Sequence, residues 1–409
     1  MKAVASTENP AAIAPAARET RTSAGAAPLR VLHVIDRLDM GGTEYVILKV
    51  MSGLGPQEFE HRVCAARGYN ESLPHLQKMQ DQIVVAGRNE SKFQLLLFRL
   101  AAIMREFRPH IVHSRNWGAI EAIPAARLAG VPVAIHSEHG YIPDMLAGLP
   151  ARQRIIRRGA YAMADAVFCV TDELRNFHAR QAWLAPERIQ VLHNGVDTER
   201  YSPLPALRRA VRERLQISPS SLVLGIVSRL VPIKDHATLF RAAERLATHK
   251  IDVRVVVAGT GPERERLDAI VNNSPALKGR VSFVGASENV PEILNALDVF
   301  VLPSLMEGMS NTILEAMSCA LPVAATRVGG NPDLVQEGRS GVLFAPGDDA
   351  HLAGQLELLA ANEELRRDYG AAGRRRVLED FSLDKMLAAY RRLYRDLAAR
   401  KGVLKEAQA

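Results

Sequence analysis

The chain alternates short β-branched segments with helical segments, and it runs through this rhythm twice. Strands that alternate with helices build βαβ units, in which helices cover both faces of a parallel sheet. The turn- and proline-rich segment 194–205, NGVDTERYSPLP, separates the two runs and is typical of a linker between domains. The pattern predicts an α/β protein with two doubly wound domains that face each other across a cleft.

The predicted strands form two groups, one on each side of this linker. The strands of the first group are 30–36, 61–66, 82–87, 110–115, 132–139, 166–171 and 188–194. Those of the second group are 222–230, 253–259, 281–285, 299–304, 322–328 and 341–346. At 409 residues the chain is too long for one core, and two domains of about 180 residues are expected.

Composition excludes several classes of protein. An apolar fraction of 47% and a charged fraction of 24% are ordinary for a soluble globular chain. The three cysteines, Cys64, Cys169 and Cys319, are far apart and form no C-x-x-C pair, so neither a disulfide framework nor a cysteine zinc site is expected. This cysteine usage fits a reducing cytoplasm, and nothing in the chain predicts a nucleic-acid partner.

Targeting and membrane segments are not predicted. Residues 1–27 are rich in Ala, Ser, Thr and Pro without an apolar core, so they are interpreted as a disordered tail and not as a secretory signal. The most apolar run, 95–104, is interrupted by Arg99 and is shorter than the roughly 18 residues of a membrane span. The segment 151–160 carries four arginines; a solvated helix face is favoured over a basic amphipathic helix that touches anionic lipid.

Two carboxylates follow the predicted strand 299–304. Glu307 lies in the loop after this strand, and Glu315 lies near the start of the helix predicted at 312–320. Both would then sit at the rim of an open α/β sheet, where ligands bind. Alternatively, Thr312 and Glu315 fit a capping box, in which Glu315 only satisfies a backbone N–H group. Glu307 has no such structural explanation.

Other loops that follow strands carry polar groups and glycines. Gly41 and Gly42 precede a helix and would let backbone N–H groups approach a ligand, with Thr43 available as the helix cap; they also suit a simple tight turn. Arg229 and Lys234 share one loop after a strand. An arginine fork and a lysine point charge together suit a diphosphate.

The segment 255–267 resembles a dinucleotide fingerprint only in part. The pattern G-x-G-x-x-G needs a third glycine, but position 264 is an arginine, so a nicotinamide site is disfavoured. The turn from Gly259 to Gly261 could still approach a nucleotide.

His136 and His139 form an H-x-x-H pair at the end of a predicted strand. Residues three apart in a strand point to opposite faces, and no third ligand is evident, so a metal site is not expected. His139 is interpreted as a hydrogen-bonding or acid–base group that faces the cleft, with a buried structural histidine as the alternative.

Several short motifs occur in a fixed order along the chain. They are GGTE at 41–44, HG at 139–140, HNGVD at 193–197, SRLVPIK at 228–234 and the long segment 303–335 that contains the two carboxylates. In this order they resemble family 4 of the retaining glycosyltransferases, which have the GT-B fold of two facing Rossmann-like domains. The resemblance covers about residues 29–400 and is most specific in the second half. RNWGAIEA at 115–122 and HSEHG at 136–140 also resemble the sugar transferases associated with the exosortase/PEP-CTERM exopolysaccharide system.

The resemblance implies domains and partners. Residues 28–198 would bind the acceptor, 199–380 would bind the nucleotide-sugar donor, and 381–409 would form a helix that returns towards the first domain. The donor would be a UDP- or GDP-linked hexose, and the acceptor a polyprenyl-linked or polysaccharide intermediate. The protein would be cytoplasmic, with peripheral contact to the inner face of the membrane as an option. No metal or other cofactor is expected, because no D-x-D motif is visible and cations would replace the metal.

The resemblance also implies a role for each candidate residue. Glu307 would contact the hydroxyl groups of the donor sugar and Glu315 those of the ribose. Arg229 and Lys234 would bind the diphosphate. The predicted catalytic residues are His139, Arg229, Lys234 and Glu307. The predicted donor-binding residues are Gly42, Gly259, Gly308, Met309, Ser310 and Glu315. The predicted acceptor-binding residues are Gly41, Arg115 and Asn116.

The chain departs from the family pattern at two positions, and two other functions remain open. Asp235 stands where a glycine often follows the lysine, and Ala320 stands where Cys-Gly is usual; only small changes in loop packing are expected. A nucleotide-sugar 2-epimerase on the same fold and a non-catalytic glycosyltransferase-like subunit are the alternatives. The RLVPIK motif and the paired carboxylates favour transfer over epimerisation. A non-catalytic subunit is disfavoured because Arg229, Lys234, Glu307 and His139 are all present.

Overall fold

The structure is a computed structural model, and it describes residues 27–39, 41–88, 93–141, 148–287 and 289–404. The disordered tail predicted at 1–27 therefore lies almost wholly outside the described residues. The elements before the linker alternate as predicted. The strands are β1 (Leu29–Leu38), β2 (Phe59–Tyr69), β3 (Ile83–Val85), β4 (Ile111–Arg115), β5 (Val133–Glu138), β6 (Ala166–Cys169) and β7 (Gln190–Val191). The helices are α1 (Gly42–Gly53), α2 (Pro74–Gln77), α3 (Phe93–Phe107), α4 (Ala122–Leu128), α5 (Ala151–Met163) and α6 (Asp172–Gln181).

The same alternation continues after the linker. The strands are β8 (Leu222–Val227), β9 (Val253–Ala258), β10 (Val281–Gly285), β11 (Val299–Leu302), β12 (Val323–Thr326) and β13 (Gly341–Phe344). The helices are α7 (Pro205–Arg214), α8 (His236–Thr248), α9 (Arg264–Asn273), α10 (Val290–Ala296), α11 (Asn311–Ser318), α12 (Asn331–Leu334), α13 (Asp349–Ala361), α14 (Glu363–Asp380) and α15 (Leu383–Arg400).

The strands form two parallel sheets, which confirms the predicted fold class. The first sheet has the order β3-β2-β1-β4-β5-β6-β7 and the second has the order β10-β9-β8-β11-β12-β13. All pairings between neighbouring strands are parallel. Strands such as β4, β5 and β11 are buried along their whole length, because helices cover both faces of each sheet.

The strand order reverses direction once in each sheet, between β1 and β4 and between β8 and β11. At such a switch point the loops that leave the carboxyl ends of the two strands diverge and open a crevice, which is where ligands bind in doubly wound sheets. The loops after these strands carry most of the residues singled out above. The fold therefore brings the candidate residues of each domain to one edge of its sheet.

The final helix, α15, packs against the first sheet, although it follows the second sheet in the chain. Tyr390, Tyr394 and Leu397 of α15 share a buried cluster with residues of β1 and β4, including Val31 and Ile111. Ion pairs flank this contact, with Arg391 Nε 3.1 Å from Glu58 and Lys401 Nζ 2.7 Å from Asp165. The polypeptide thus crosses between the two domains twice.

Within the described part of the chain, no helix combines the length and the apolar character needed to cross a bilayer. The same residues contain no group of three or more His, Cys, Asp or Glu side chains arranged to hold a metal ion.

Candidate active site

The loops after β8 and β11 are joined through an ion pair. The Lys234 ammonium lies 2.5 Å from Glu307 Oε1, and both side chains are largely shielded from solvent, with 18% and 9% exposed. The Leu305 N–H group also donates to the Ile233 carbonyl at 2.8 Å. The sequence separates these two charges by 73 positions, and the switch point of the second sheet brings them together.

Arg229 lies on the same loop as Lys234 but is exposed. It faces Glu44 of α1, in the first domain. Burial raises the pKa of Glu44, and the nearby Arg229 guanidinium opposes that shift. An arginine and a lysine from the second domain therefore stand at the cleft next to the first helix of the other domain.

Glu315 lies on α11 among groups from both domains. Burial raises the pKa of Glu315 to about 6, and the charges of Lys49 and Arg200 together with a hydrogen bond from the Tyr201 hydroxyl oppose this shift. Lys49, on α1, also donates to the Gly195 carbonyl at 2.8 Å. Two cationic side chains, Lys49 and Arg200, therefore lie near this carboxylate.

The capping-box alternative for Glu315 is wrong. The cap of α11 is Ser310, whose hydroxyl oxygen accepts from the Ile313 N–H group at 3.2 Å. The helix begins one residue earlier than the predicted segment 312–320, because Ser310 and not Thr312 takes the extended capping conformation. Met309, beside this cap, is buried, and its sulfur accepts from the Asn194 N–H group at 3.2 Å. It thus attaches the loop to the linker between the domains.

Gly308 lies at a close approach of the two domains. A Cβ atom added at Gly308 would lie 2.1 Å from the His139 carbonyl oxygen. The Gly308 carbonyl in turn accepts from the Gly330 N–H group at 2.8 Å. Only a glycine can stand here, since any side chain would push the His139 loop away from the Glu307 loop.

His139 is buried, and the loop after β4 holds it in place. Its backbone N–H group donates to Asn116 Oδ1 at 2.7 Å, and its ring Nε2 atom lies 2.9 Å from Ser137 Oγ. Burial and the Arg115 charge lower the pKa of His139 to about 3, so the ring is neutral near pH 7. The His136 ring contacts Ser114 and Glu138 instead, which leaves the H-x-x-H pair divided between separate environments.

A cavity of about 200 Å³ opens beside this histidine. Thr43, Asn116, Trp117, His139 and Tyr141 are among its lining residues. Asn116 Nδ2 donates to Thr43 Oγ1 at 3.3 Å in the wall of this cavity. Thr43 is therefore not the helix cap that was predicted, and α1 begins without a side-chain cap. The size and mixed polarity of the cavity suit part of a sugar or of an acceptor.

Arg115 does not lie at the surface of the cleft, where it was predicted to bind the acceptor. Its side chain is 0% exposed, and its guanidinium donates to His33 Nδ1 at 2.9 Å. From this interior position it cannot touch a ligand in the cleft. The physical reason is the register of β4: Arg115 is the last residue of the strand and still points into the layer between sheet and helix.

Gly259 also has a structural explanation. A Cβ atom on Gly259 would lie 1.8 Å from the Ser228 carbonyl oxygen, and one on Gly261 would lie 2.3 Å from that of Leu230. These glycines let the turn after β9 pack directly against the backbone of the Arg229 loop. This packing is sufficient to account for both glycines, and donor binding by Gly259 stays a prediction.

Gly41 and Gly42 lie where α1 meets the second domain. A Cβ atom on Gly41 would lie 2.4 Å from Glu44 Oε2. The Gly42 carbonyl accepts from Asn311 Nδ2 at 3.3 Å, which makes Gly42 a contact between the domains as well as a candidate ligand contact.

The basic helix α5 is less available to solvent than its sequence suggests. Arg157 is fully buried and pairs with Glu138. Although burial raises the pKa of Glu138, the Arg157 guanidinium and His178 hold it well below its usual range. Arg154 donates to the carbonyls of Arg180 and Gln181 at the end of α6, and Arg158 donates to the Trp183 carbonyl just after it. Of the four arginines, one is therefore internal and two are held at the end of α6.

Sequence reasoning missed the residues around Glu315. Lys49 is flanked by the apolar positions Val46, Ile47 and Val50 of α1, and a lone lysine in such a helix is the signal that could have revealed it. Arg200 and Tyr201 fall in the linker, where no pattern marks them.

Comparisons with known proteins agree with this arrangement. The model of the Glycosyltransferase Family 4 domain matches residues 40–200, and that of the Glycosyl transferases group 1 domain matches residues 221–362. The alpha-maltose-1-phosphate synthase of Mycolicibacterium smegmatis is 32% identical over 71% of this chain and 79% of its own length. The UDP-Gal:alpha-D-GlcNAc-diphosphoundecaprenol alpha-1,3-galactosyltransferase of Escherichia coli is 28% identical over 75% of this chain and 80% of its own.

A solved structure shares the fold. Anabaena HepE, crystallised with UDP-glucose, superposes with a TM-score of 0.76 at 19% identity and covers 92% of this chain and 100% of its own. Two parallel α/β domains, the paired family models across both halves and these relatives lead to one conclusion: the chain is a glycosyltransferase of family 4 with the GT-B fold.

Proposed function

We propose that the protein transfers a hexose from a UDP- or GDP-linked donor to a lipid-linked or polysaccharide acceptor, with retention of the anomeric configuration, in exopolysaccharide biosynthesis. One observation carries this proposal. Lys234 and Glu307 form a shielded pair at the edge of the second sheet, and Gly308 holds the Glu307 loop directly against His139 of the first domain. A cation, a carboxylate and a neutral histidine thus meet where a donor sugar would lie between the domains.

The charges suit the departure of a nucleoside diphosphate. In the reaction the bond between the anomeric carbon and the diphosphate oxygen breaks, and the acceptor oxygen bonds to that carbon and passes its proton to the departing diphosphate oxygen. Negative charge grows on the leaving diphosphate. Arg229 and Lys234 stabilise this negative charge, because positive charges that are already in place favour the transition state over the ground state.

The two carboxylates divide the donor between them. Glu307, next to Lys234 and the His139 loop, orients the sugar through its hydroxyl groups. Glu315, with Lys49 and Arg200 beside it, receives the hydroxyl groups of the ribose. Backbone N–H groups of the Gly308–Ser310 segment add to the binding of the diphosphate.

We further propose that the reaction needs no metal ion or other cofactor, with the nucleotide-sugar acting only as a substrate. Arg229 and Lys234 supply two positive charges on the loop after β8, which is the work that a divalent cation would otherwise do for the diphosphate.

The acceptor is proposed to enter from the first domain. The cavity lined by Thr43, Trp117 and Tyr141 opens there, and the name of the E. coli relative specifies an undecaprenol-linked acceptor. With an acceptor of this kind, we propose that the protein works in the cytoplasm, at the inner face of the membrane. Ile155 on α5 is 61% exposed and Arg152 beside it is also exposed, which supports peripheral contact with anionic lipid.

A panel of UDP- and GDP-sugars tests the proposal. Each is incubated with the protein, and thermal stabilisation and slow hydrolysis are recorded in buffer with EDTA and in buffer with Mg²⁺. One donor should stabilise the protein and be hydrolysed equally in both buffers, and NMR of the early sugar product should show the donor's anomeric configuration. An inverted product would contradict retention, and loss of turnover in EDTA that Mg²⁺ restores would contradict metal independence.

A further inference from the structure

A continuous chain of hydrogen bonds runs from the final helix to His139. The Tyr394 hydroxyl of α15 lies 2.8 Å from His113 Nδ1. His113 Nε2 lies 2.9 Å from Ser137 Oγ, and Ser137 Oγ lies 2.9 Å from His139 Nε2. All four side chains are buried. Each link can run in either direction in principle, because hydroxyl groups and neutral imidazoles both donate and accept.

Arg115 fixes the direction of a neighbouring chain of hydrogen bonds, which runs through His33 and His61. A guanidinium only donates, so His33 Nδ1, at 2.9 Å from Arg115, must accept. The proton of His33 is then on Nε2, which donates to His61 Nδ1 at 3.0 Å. His61 in turn carries its proton on Nε2, because its Nδ1 atom accepts from His33. One buried cation therefore fixes the tautomers of two histidines in sequence.

The Tyr394 hydroxyl orients the other chain at its first link. Tyr394 is fully buried, and among the described residues its hydroxyl has one acceptor within hydrogen-bond distance, His113 Nδ1. The Tyr394 O–H group therefore donates to His113, because the opposite direction would leave a buried hydroxyl proton without an acceptor. The nearby Arg115 charge, which opposes the rise that burial causes in the pKa of Tyr394, offers no alternative acceptor. His113 is then protonated on Nε2 and donates to Ser137, and the Ser137 hydroxyl donates to His139 Nε2.

We propose that Tyr394, His113 and Ser137 are positioning residues that hold His139 in its Nδ1–H tautomer, so that this histidine offers a fixed hydrogen-bond donor to the cleft. His139 Nδ1 is buried without a hydrogen-bond partner among the described residues, and His139 is one of the residues that line the cavity. The residue therefore does not act as a base at this atom. A substrate group that reaches it must accept, as a sugar hydroxyl oxygen or a carboxylate oxygen does.

The tautomer can be read directly by NMR. In protein labelled with ¹⁵N-histidine, two-bond nitrogen–proton correlations distinguish the protonated ring nitrogen from the bare one, and a His139→Gln variant assigns the signal. We expect protonated Nδ1 and bare Nε2 for His139, and protonated Nε2 for His33, His61 and His113. A wild-type His139 with its proton on Nε2 would overturn the proposal.

Two matched variants test the origin of the effect. Tyr394→Phe removes the donor that starts the chain but keeps the ring in its packing. Tyr390→Phe removes a hydroxyl one turn earlier, also beside Arg115 but outside the chain. Tyr394→Phe should produce a mixture of His113 and His139 tautomers, whereas Tyr390→Phe should leave the spectrum of His139 unchanged. Equal spectra for both variants would overturn the role of the final helix.

A third variant breaks the last link. Ser137→Ala should release His139 from its fixed tautomer even if Tyr394→Phe lowers stability too far for spectroscopy. A His139 that keeps its proton on Nδ1 in Ser137→Ala would show that the chain does not set the tautomer.

The kinetic arm rests on the proposed function. With the donor found in the panel, Tyr394→Phe should lower kcat/KM by about 2- to 10-fold, the effect of one hydrogen bond, while Tyr390→Phe leaves it unchanged. If the proposed function is wrong, the kinetic comparison cannot be made, but the NMR test of the tautomers is unaffected. Altered tautomers with unchanged kcat/KM would instead refute the catalytic use of the fixed donor.

Discussion

The Lys234 ammonium and the Glu307 carboxylate lie 2.5 Å apart across two loops of the second sheet. Both side chains are mostly shielded from water, which strengthens the attraction between their charges. This attraction keeps both side chains at the mouth of the cleft. Removing one partner leaves the other charge without compensation, which is costly in a shielded site. The ion pair therefore takes part in the proposed chemistry and also holds the two loops together.

The first prediction concerns Lys234. In Lys234→Ala we expect turnover to fall on the order of 10²-fold or more, because leaving-group charge is larger in the transition state than in the ground state. Steady-state kinetics with the donor from the panel measures this. Lys278→Ala, which removes an exposed lysine of the same domain, should be silent. A rise in KM with kcat intact would contradict the assigned role.

The two carboxylates should fail in different ways. Glu315→Gln should weaken nucleoside diphosphate binding by roughly 1.5–3 kcal/mol, because it removes charge-assisted hydrogen bonds. Glu307→Gln should leave that affinity nearly unchanged and lower kcat, since misplacing the sugar costs rate. Calorimetric titration of both variants with UDP and GDP separates the cases. Equal losses of nucleotide affinity would refute this division.

Glu315 should also give nucleotide-sugar binding a pH dependence. Burial raises the pKa of Glu315 to about 6, so the carboxylate is ionised above this pH and protonated below it. Affinity for UDP-glucose, or for the best donor of the panel, should fall as the pH is lowered from 8 to 5, with the inflection near 6. The diphosphate of such a donor is esterified at both ends and does not titrate in this range. The inflection should vanish in Glu315→Gln.

The same pKa predicts an effect on stability with the opposite sense. A raised carboxyl pKa favours the neutral form in the folded state, so its stabilisation is fully present below the ordinary value of 4.5 and is lost as the pH rises through about 6. Relative to wild type, Glu315→Gln should therefore gain thermal stability at pH 7.5 and show little change at pH 4.5. A gain at the lower pH only would show that the sign is wrong.

Gly308 is predicted to control the closure of the cleft. Gly308→Ala places a Cβ atom 2.1 Å from the His139 carbonyl, which forces the two loops apart. Since a displacement of about 1 Å can cost 10²-fold in rate, transfer should be nearly abolished while UDP still binds to the second domain. Gly354→Ala is the control, because its Cβ atom would meet open space on α13. Full activity in Gly308→Ala would show that the observed approach of the domains is not used.

The two departures from the family pattern make a stability prediction. Asp235 and Ala320 both have positive φ values, 44° and 57°, in the left-handed region that costs L-residues about 1–2 kcal/mol. Ala320→Gly should therefore stabilise the protein by on the order of 1 kcal/mol in denaturant unfolding. Asp235→Gly should gain less, since it loses the bond from Thr238 Oγ1 to the Asp235 carboxylate at 2.5 Å. A destabilised Ala320→Gly would contradict this account.

These two positions also show where sequence reasoning stopped short. The expectation of small adjustments in loop packing was incomplete, because the glycine usual at each place reflects a backbone angle and not a side-chain contact. Strand positions, by contrast, were predictable: β-branched runs such as 253–259 and 299–304 contain the observed β9 and β11. Buried parallel strands leave a continuous apolar signal that needs no tertiary information.

The site was predictable in part for a related reason. Loops after strands could be identified one by one, and the switch points explain why Lys234 and Glu307 meet. The inward direction of Arg115 depends on which face of β4 the strand's last residue takes, and the final helix covers that face. The neighbours of Glu315 come from the other domain and the linker, so only the tertiary structure shows them.

The position of α15 has a consequence for synthesis of the protein on the ribosome. The first domain emerges early, but the face of its sheet around Val31 and Ile111 is covered by Tyr390 and Tyr394, which are made after the whole second domain. At roughly 5–20 residues per second, translation of the intervening part takes on the order of 10–40 s. During this time the nascent first domain carries an open apolar face, which makes it a natural client for a chaperone until its last helix arrives.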